Sequence, residues 1–150
     1  MDDQRIMVET CQVELVMVNG LRISGETFLQ LQGAYLTGPQ RVGEILDDEE
    51  IFLPVRNNSN QVQLVNLEQV VSVSLSAELE FDPLLALGEQ YQVRVEPVVG
   101  DTVEARIFVN LPGNKSRVKD FLNQKKRFLP FLQEERVIYF ARKRILRVTD

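Results

Sequence analysis

Residues 41–55 read RVGEILDDEEIFLPV, and residues 117–131 read RVKDFLNQKKRFLPF. The apolar frame is the same and the charges are changed. Arg41 falls on Arg117, Val42 on Val118, Leu46 on Leu122, Phe52 on Phe128, Leu53 on Leu129 and Pro54 on Pro130. A pattern repeated at this distance in a 150-residue chain is the mark of an internal repeat.

The match runs outward in both directions. NGLRISGETFLQL (19–31) lies over VGDTVEARIFVNL (99–111), with Gly20 on Gly100, Ile23 on Val103, Phe28 on Phe108 and Leu31 on Leu111. VQLVNLEQVVSV (62–73) lies over VIYFARKRILRV (137–148). The offset shortens only around 32–40 and 56–61, where turns are expected, and length changes confined to turns suit a structural repeat. The expected organisation is a first unit over 1–75, a linker over 76–90 and a second unit over 91–150.

Periodicity assigns the elements. QVELVMV, then Asn19-Gly20, then RISGETFLQL reads as a hairpin closed by a type I′ turn. Alternation puts Ile23, Gly25, Thr27, Leu29 and Leu31 on one face of the second strand. Tyr91, Val93 and Val95, with Val103, Ala105, Ile107, Val109 and Leu111, form the matching face in the second unit. Val118, Phe121 and Leu122 recur at helical spacing, as do Val42, Ile45 and Leu46, so a short helix is predicted there, with Ser116 as a cap in the second unit. Pro54 and Pro130 lack an N–H and predict strands that lie at an edge or break. The linker holds an apolar LLAL (84–87), read as a helical turn. The prediction is a mainly β chain of two tandem small β-barrels, each with one short helix.

Composition bounds the rest. Forty-four per cent hydrophobic and 26 per cent charged residues describe a soluble globular chain. There is no apolar run of the roughly 20 residues that span a bilayer, and the acidic start MDDQRIMVET does not resemble a signal peptide, so a cytoplasmic location is expected. Cys11 is the only cysteine, which rules out an internal disulfide. The net charge of −5 divides into −11 over residues 1–90 and +6 over residues 91–150.

In two places per unit the sequence resembles SH3-like and Sm-like small barrels. One is the opening hairpin, with Val13, Leu15, Asn19, Gly20 and the bending Gly25. The other is LVNLEQVVSV (64–73), with YFARKRILRV (139–148), similar to the closing pair of Sm-like strands joined by a very short turn. The layout also resembles bacterial domains of unknown function. The resemblance implies ring assembly and RNA binding, with Arg142, Lys143 and Arg144 in the turn bordering the RNA site.

Residue chemistry points away from catalysis. With no histidine, imidazole-based nucleophile activation and histidine metal ligation are both excluded. Asp47, Asp48, Glu49 and Glu50 lack the alternating ligands and central glycine of a calcium loop, and read as a solvated helix end. There is no glycine-rich nucleotide loop, and no cofactor is expected. NLPGNKS (110–116) reads as a plain turn.

Two binding features remain. One is a basic set: Lys115, Arg117, Lys119, Lys125, Lys126, Arg127, Arg142, Lys143 and Arg144. The other is Phe28 and Phe108, each on the polar face of its strand, expected to lie under the short helix or to form an apolar contact. The expected function is a non-enzymatic protein-interaction or assembly module without membrane contact. The partner is a protein, or another copy through the acidic first and basic second units. The alternative is an RNA-binding protein using the basic face of the second unit.

Overall fold

A computed structural model describes residues 8–30, 41–78, 80, 88–114 and 117–150. These residues form one ten-stranded antiparallel sheet with two short helices. The first half contains β1 (Val8–Met17), β2 (Arg22–Gln30), α1 (Val42–Leu46), β3 (Phe52–Arg56), β4 (Val62–Asn66) and β5 (Val70–Ser76). The second contains β6 (Glu89–Pro97), β7 (Val103–Val109), α2 (Val118–Leu122), β8 (Phe128–Gln133), β9 (Arg136–Ala141) and β10 (Ile145–Thr149). The predicted turn at 84–87 and the Ser116 cap lie outside the described residues.

The strand order is β10-β6-β7-β8-β9-β5-β1-β2-β3-β4. Each half contributes five strands in the same internal order. A three-residue 3-10 turn, Leu67–Gln69 or Arg142–Arg144, splits each closing segment into two strands. The registers also correspond: Leu15 faces Ile23 and Val73, as Val95 faces Val103 and Val148. Glu26 faces Arg56 as Arg106 faces Leu132.

The halves do not close into two barrels. The sheet is open, with β10 and β4 at its ends. The physical reason is that β9 gives its free side to β5 of the other half. Ser72 pairs with Phe140, Val73 with Tyr139, Ser74 with Ile138, Leu75 with Val137 and Ser76 with Arg136. One hydrogen-bonded ladder therefore fuses both halves.

That pairing also sorts the core. Leu129, Phe131, Ile138 and Phe140 pack with the second half's Val93, Ala105, Ile107 and Phe121. Phe131 meets Phe121 and Phe140 edge-on, with centroids 5.8 and 5.3 Å away. Phe128, Val137, Tyr139 and Ala141 point the other way, into the first half's core with Val13, Leu15, Leu46 and Val73. Strand β9 is thus buried on both faces, and its sequence RVIYFA is accordingly an almost unbroken apolar run.

The prolines sit differently from expectation. Pro130 lies in β8, an interior strand. It is tolerated because β8 meets β7 through the single pair Arg106 and Leu132, so no dense ladder needs the missing N–H. Gly25 marks the corresponding crowded bend in the first half. A Cβ there would fall 2.3 Å from the Arg56 carbonyl oxygen. The buried Thr27 hydroxyl donates to the Pro54 carbonyl at 3.1 Å.

The helices bury unequal faces. α1 inserts Val42 and Leu46, both fully buried, whereas α2 inserts Val118 and Phe121 and leaves Leu122 half-buried. Leu46→Ala is therefore expected to cost ~2–5 kcal/mol through the cavity it opens, and Leu122→Ala distinctly less. Urea unfolding of the two variants checks the order; equal losses would contradict the unequal burial.

Candidate binding groove at the junction of the two halves

The basic residues predicted from sequence fall into two groups. Lys125, Lys126, Arg127, Arg142, Lys143 and Arg144 converge on one groove, facing Leu67, Glu68 and Gln69 of the first half. The two 3-10 turns form its opposing walls, and its volume is about 470 Å³. Arg117 and Lys119 of α2 do not line it, and Arg117 is held by Asp120 at 2.8 Å. Lys115 lies outside the described residues.

Inside the groove, arginines and lysines have different employment. The half-buried Arg127 guanidinium donates to the carbonyls of Leu46, Asp48 and Glu50 at 3.0 to 3.2 Å. It thereby satisfies carbonyls at the C-terminal end of α1, from the other half of the chain. Arg142 donates to the Lys126 carbonyl at 3.1 Å, and Arg144 to the Glu68 carbonyl at 2.7 Å. The lysines stay exposed. Lys126 stands 3.9 Å from Asp47, a loose and solvated ion pair that contributes little. The ammonium groups of Lys125, Lys126 and Lys143 are what the groove offers to an incoming anion. Asp47, Asp48, Glu49 and Glu50 are all exposed at the end of α1, as expected of a solvated helix end, while Arg127 takes the backbone carbonyls of Asp48 and Glu50.

The sequence reading missed the opposite end of α1. Glu80, in the linker, is buried. Its carboxylate accepts the N–H of Val42 at 2.8 Å and of Gly43 at 2.9 Å, and a short hydrogen bond from the Tyr139 hydroxyl. One side chain thus ties linker, α1 and β9 together. Gly43 is required for this approach, because a Cβ there would sit 2.6 Å from the Tyr139 oxygen. Burial pushes the Glu80 carboxyl above its usual value, against the pull of Tyr139 and the two backbone donors. Burial and the Glu80 charge push the Tyr139 phenol up as well, so it stays protonated and donates. A glutamate in a polar linker gives little sequence signal of burial; the tyrosine in an apolar strand was the available hint, since a buried phenol needs a partner.

The other singled-out residues are also engaged. Phe28 is half-buried beneath the Arg56 guanidinium, 5.3 Å from its ring centroid. Phe108 lines a cavity of about 210 Å³ with Phe121 of α2 and Phe131. Burial pushes the half-buried Cys11 thiol up, away from reactive thiolate character. The exposed apolar surface lies where the sequence reading did not look. Phe52 is 55% exposed, Val62 54% and Leu64 66%. Cross-strand pairing of Phe52 with Asn66, Pro54 with Leu64 and Arg56 with Val62 puts these side chains on one face of β3 and β4.

No family model, no curated protein and no solved structure matches the chain. Among the described residues, no helix is long and apolar enough to cross a membrane.

Two outcomes follow from the buried Glu80. Glu80→Ala strands two N–H groups and a hydroxyl in the interior and is expected to cost ~3–5 kcal/mol, read by chemical denaturation. The pH dependence has a definite sign. A raised carboxyl pKa means the folded state binds the proton more tightly than the unfolded chain. The contribution of Glu80 to stability is then complete below its ordinary value of 4.5 and is lost as pH rises through the raised value. Relative to Glu80→Gln, which cannot titrate, the wild type is expected to lose stability from that acidic limit toward neutrality. A melting-temperature difference that is flat, or of opposite slope, would contradict this.

Proposed function

We propose that the chain is a non-enzymatic protein-interaction or assembly module, made of two duplicated copies of a small, strongly bent β unit of the SH3-like or Sm-like kind. We take it to act in the cytoplasm. The shared strand order and register of the halves support duplication. So does the aligned sequence of their helices and closing strands. The observation that carries the interaction reading is the apolar face of Phe52, Val62 and Leu64 beside the edge of β4 that is unpaired among the described residues. Solvent-facing apolar side chains grouped at an unpaired sheet edge suit strand addition by a protein partner. The state of two reactive groups fits a structural role. Cys11 is held as a thiol, and Glu80 is consumed by its three donors.

A second reading, RNA binding, is favoured by the convergence of six basic residues on one groove. It ranks lower because Arg127, Arg142 and Arg144 are spent on backbone carbonyls. The same fact governs the test. Reversing Arg142 or Arg144 would disturb the junction itself, so Lys125→Glu combined with Lys143→Glu is the informative variant.

Matched beads carrying wild type or Leu64→Arg, incubated with lysate at moderate salt, test the first reading. A protein retained by wild type and lost by Leu64→Arg is the expected result, since screening weakens exposed charge contacts but not apolar burial. Gel shifts with random single-stranded RNA test the second. Contacts from the three groove lysines predict a log–log salt slope of roughly −2, from about −0.7 per phosphate, and loss of binding in the double-lysine variant. Tight RNA binding with these properties, beside unchanged bead capture by Leu64→Arg, would reverse the ranking.

A further inference from the structure

We propose that the partner at the free edge is a second copy of this chain, added head to tail so that its β10 continues the sheet beyond β4. This deepens the interaction reading and rests on it. The argument comes from the seam the chain already contains. Inside one molecule, β5 of the first half pairs with β9 of the second. The strand equivalent to β5 is β10, and the strand equivalent to β9 is β4, by the alignment of 62–73 on 137–148. These are the two strands left with one neighbour among the described residues.

Burial points the same way. Phe128 and Val137 are each 2% exposed because the first half covers them; their equivalents Phe52 and Val62 are more than half exposed. Tyr139 is 8% exposed, and its equivalent Leu64 is 66%. On the other strand Val71 is 1% exposed, and its equivalent Leu146 is 69%. Four apolar side chains buried at or beside the internal seam, Phe128, Val137, Tyr139 and Val71, thus have exposed apolar counterparts at the open edges.

Transferring the register Val73 to Tyr139 and Ser74 to Ile138 puts Val148 of one copy beside Leu64 of the next, and Thr149 beside Gln63. The apolar pair meets the apolar pair and the polar meets the polar. Charge agrees as well. The basic second half of one copy meets the acidic first half of the next, as Lys126 and Arg127 meet the Asp47–Glu50 segment within one chain. Because the two surfaces differ, the contact is heterologous and repeats from copy to copy.

Sedimentation and light scattering of wild type, Leu64→Arg, Leu146→Asp and their equimolar mixture test this. Wild type is expected to form oligomers that dissociate on dilution. Leu64→Arg blocks one surface and Leu146→Asp the other, so each alone is expected to be a monomer with an unchanged melting temperature. Mixed, they retain one good edge each and are expected to form a one-to-one dimer. A second measurement does not depend on those variants. In a Cys11→Ser background, Gln63→Cys chains mixed with Thr149→Cys chains are expected to cross-link to each other on oxidation, because cross-strand neighbours lie within disulfide reach.

A monomeric wild type with no such cross-link overturns the proposal, as does a dimer formed by Leu146→Asp alone. If that happens while Leu64→Arg still loses a lysate protein that wild type retains, self-assembly fails and the interaction reading stands. If Leu64→Arg loses nothing and wild type is monomeric, both fail.

Discussion

Five residue pairs between β5 and β9 hold this molecule together as one sheet. Without that ladder each half would be a five-stranded unit of about 65 residues, a size at which burial barely offsets chain entropy. The ladder does more than add hydrogen bonds. It brings one face of the β8–β9 hairpin into the first half's core and keeps the other in its own. Tyr139, Val137 and Phe128 serve one core while Phe140, Ile138 and Phe131 serve the other. The dependence is one-sided: the second core is built from its own segment, whereas the first is completed by Phe128, Val137, Tyr139 and Ala141 of the second half.

The same dependence appears in α1. Five residues are too few for a helix to persist in water on its own. Its N-terminal N–H groups are taken by Glu80 from the linker, and carbonyls at its C-terminal end by Arg127 from the second half. The two ends are thus satisfied by residues outside the first unit. The charge asymmetry along the sequence has a local use here: an acidic helix end meets a basic strand start. Arginine suits this work because its planar fork reaches three carbonyls at once, whereas lysine stays solvated at the rim.

Such a design leaves a predictable remainder. A sheet assembled from two similar units by one seam keeps one unused copy of each seam surface. Open edges invite association, and proteins commonly blunt them with charge. Here β4 carries Gln63 between Val62 and Leu64, and β10 carries Arg147 beside the exposed Leu146, so the blunting is partial. Phe52, Val62, Leu64 and Leu146 are the apolar side chains that stay exposed at those edges.

Much of the local structure was legible in the chain. Alternation from Ile23 to Leu29 and from Val103 to Val109 marked which faces turn inward, and burial follows that pattern. Asn19-Gly20 marked the first hairpin turn, where Gly20 has a positive φ of 89°. The repeated RV-and-FLP frame marked two helices in equivalent positions. These are short-range consequences of side-chain size and backbone freedom, and they are written in neighbouring residues. The basic cluster was legible as a list, but not as a groove, because Lys125–Arg127 and Arg142–Arg144 meet through a hairpin return. What only the tertiary structure decided was which strand uses which edge. A hydrogen-bonding edge has no residue signature of its own, since every strand offers the same N–H and C=O groups. Hence two closed barrels and one open sheet read alike until β9 is seen lying against β5. Glu80 belongs to the same class. Its carboxylate looks like any surface glutamate in sequence, and acquires its role from three donors brought from residues 42, 43 and 139.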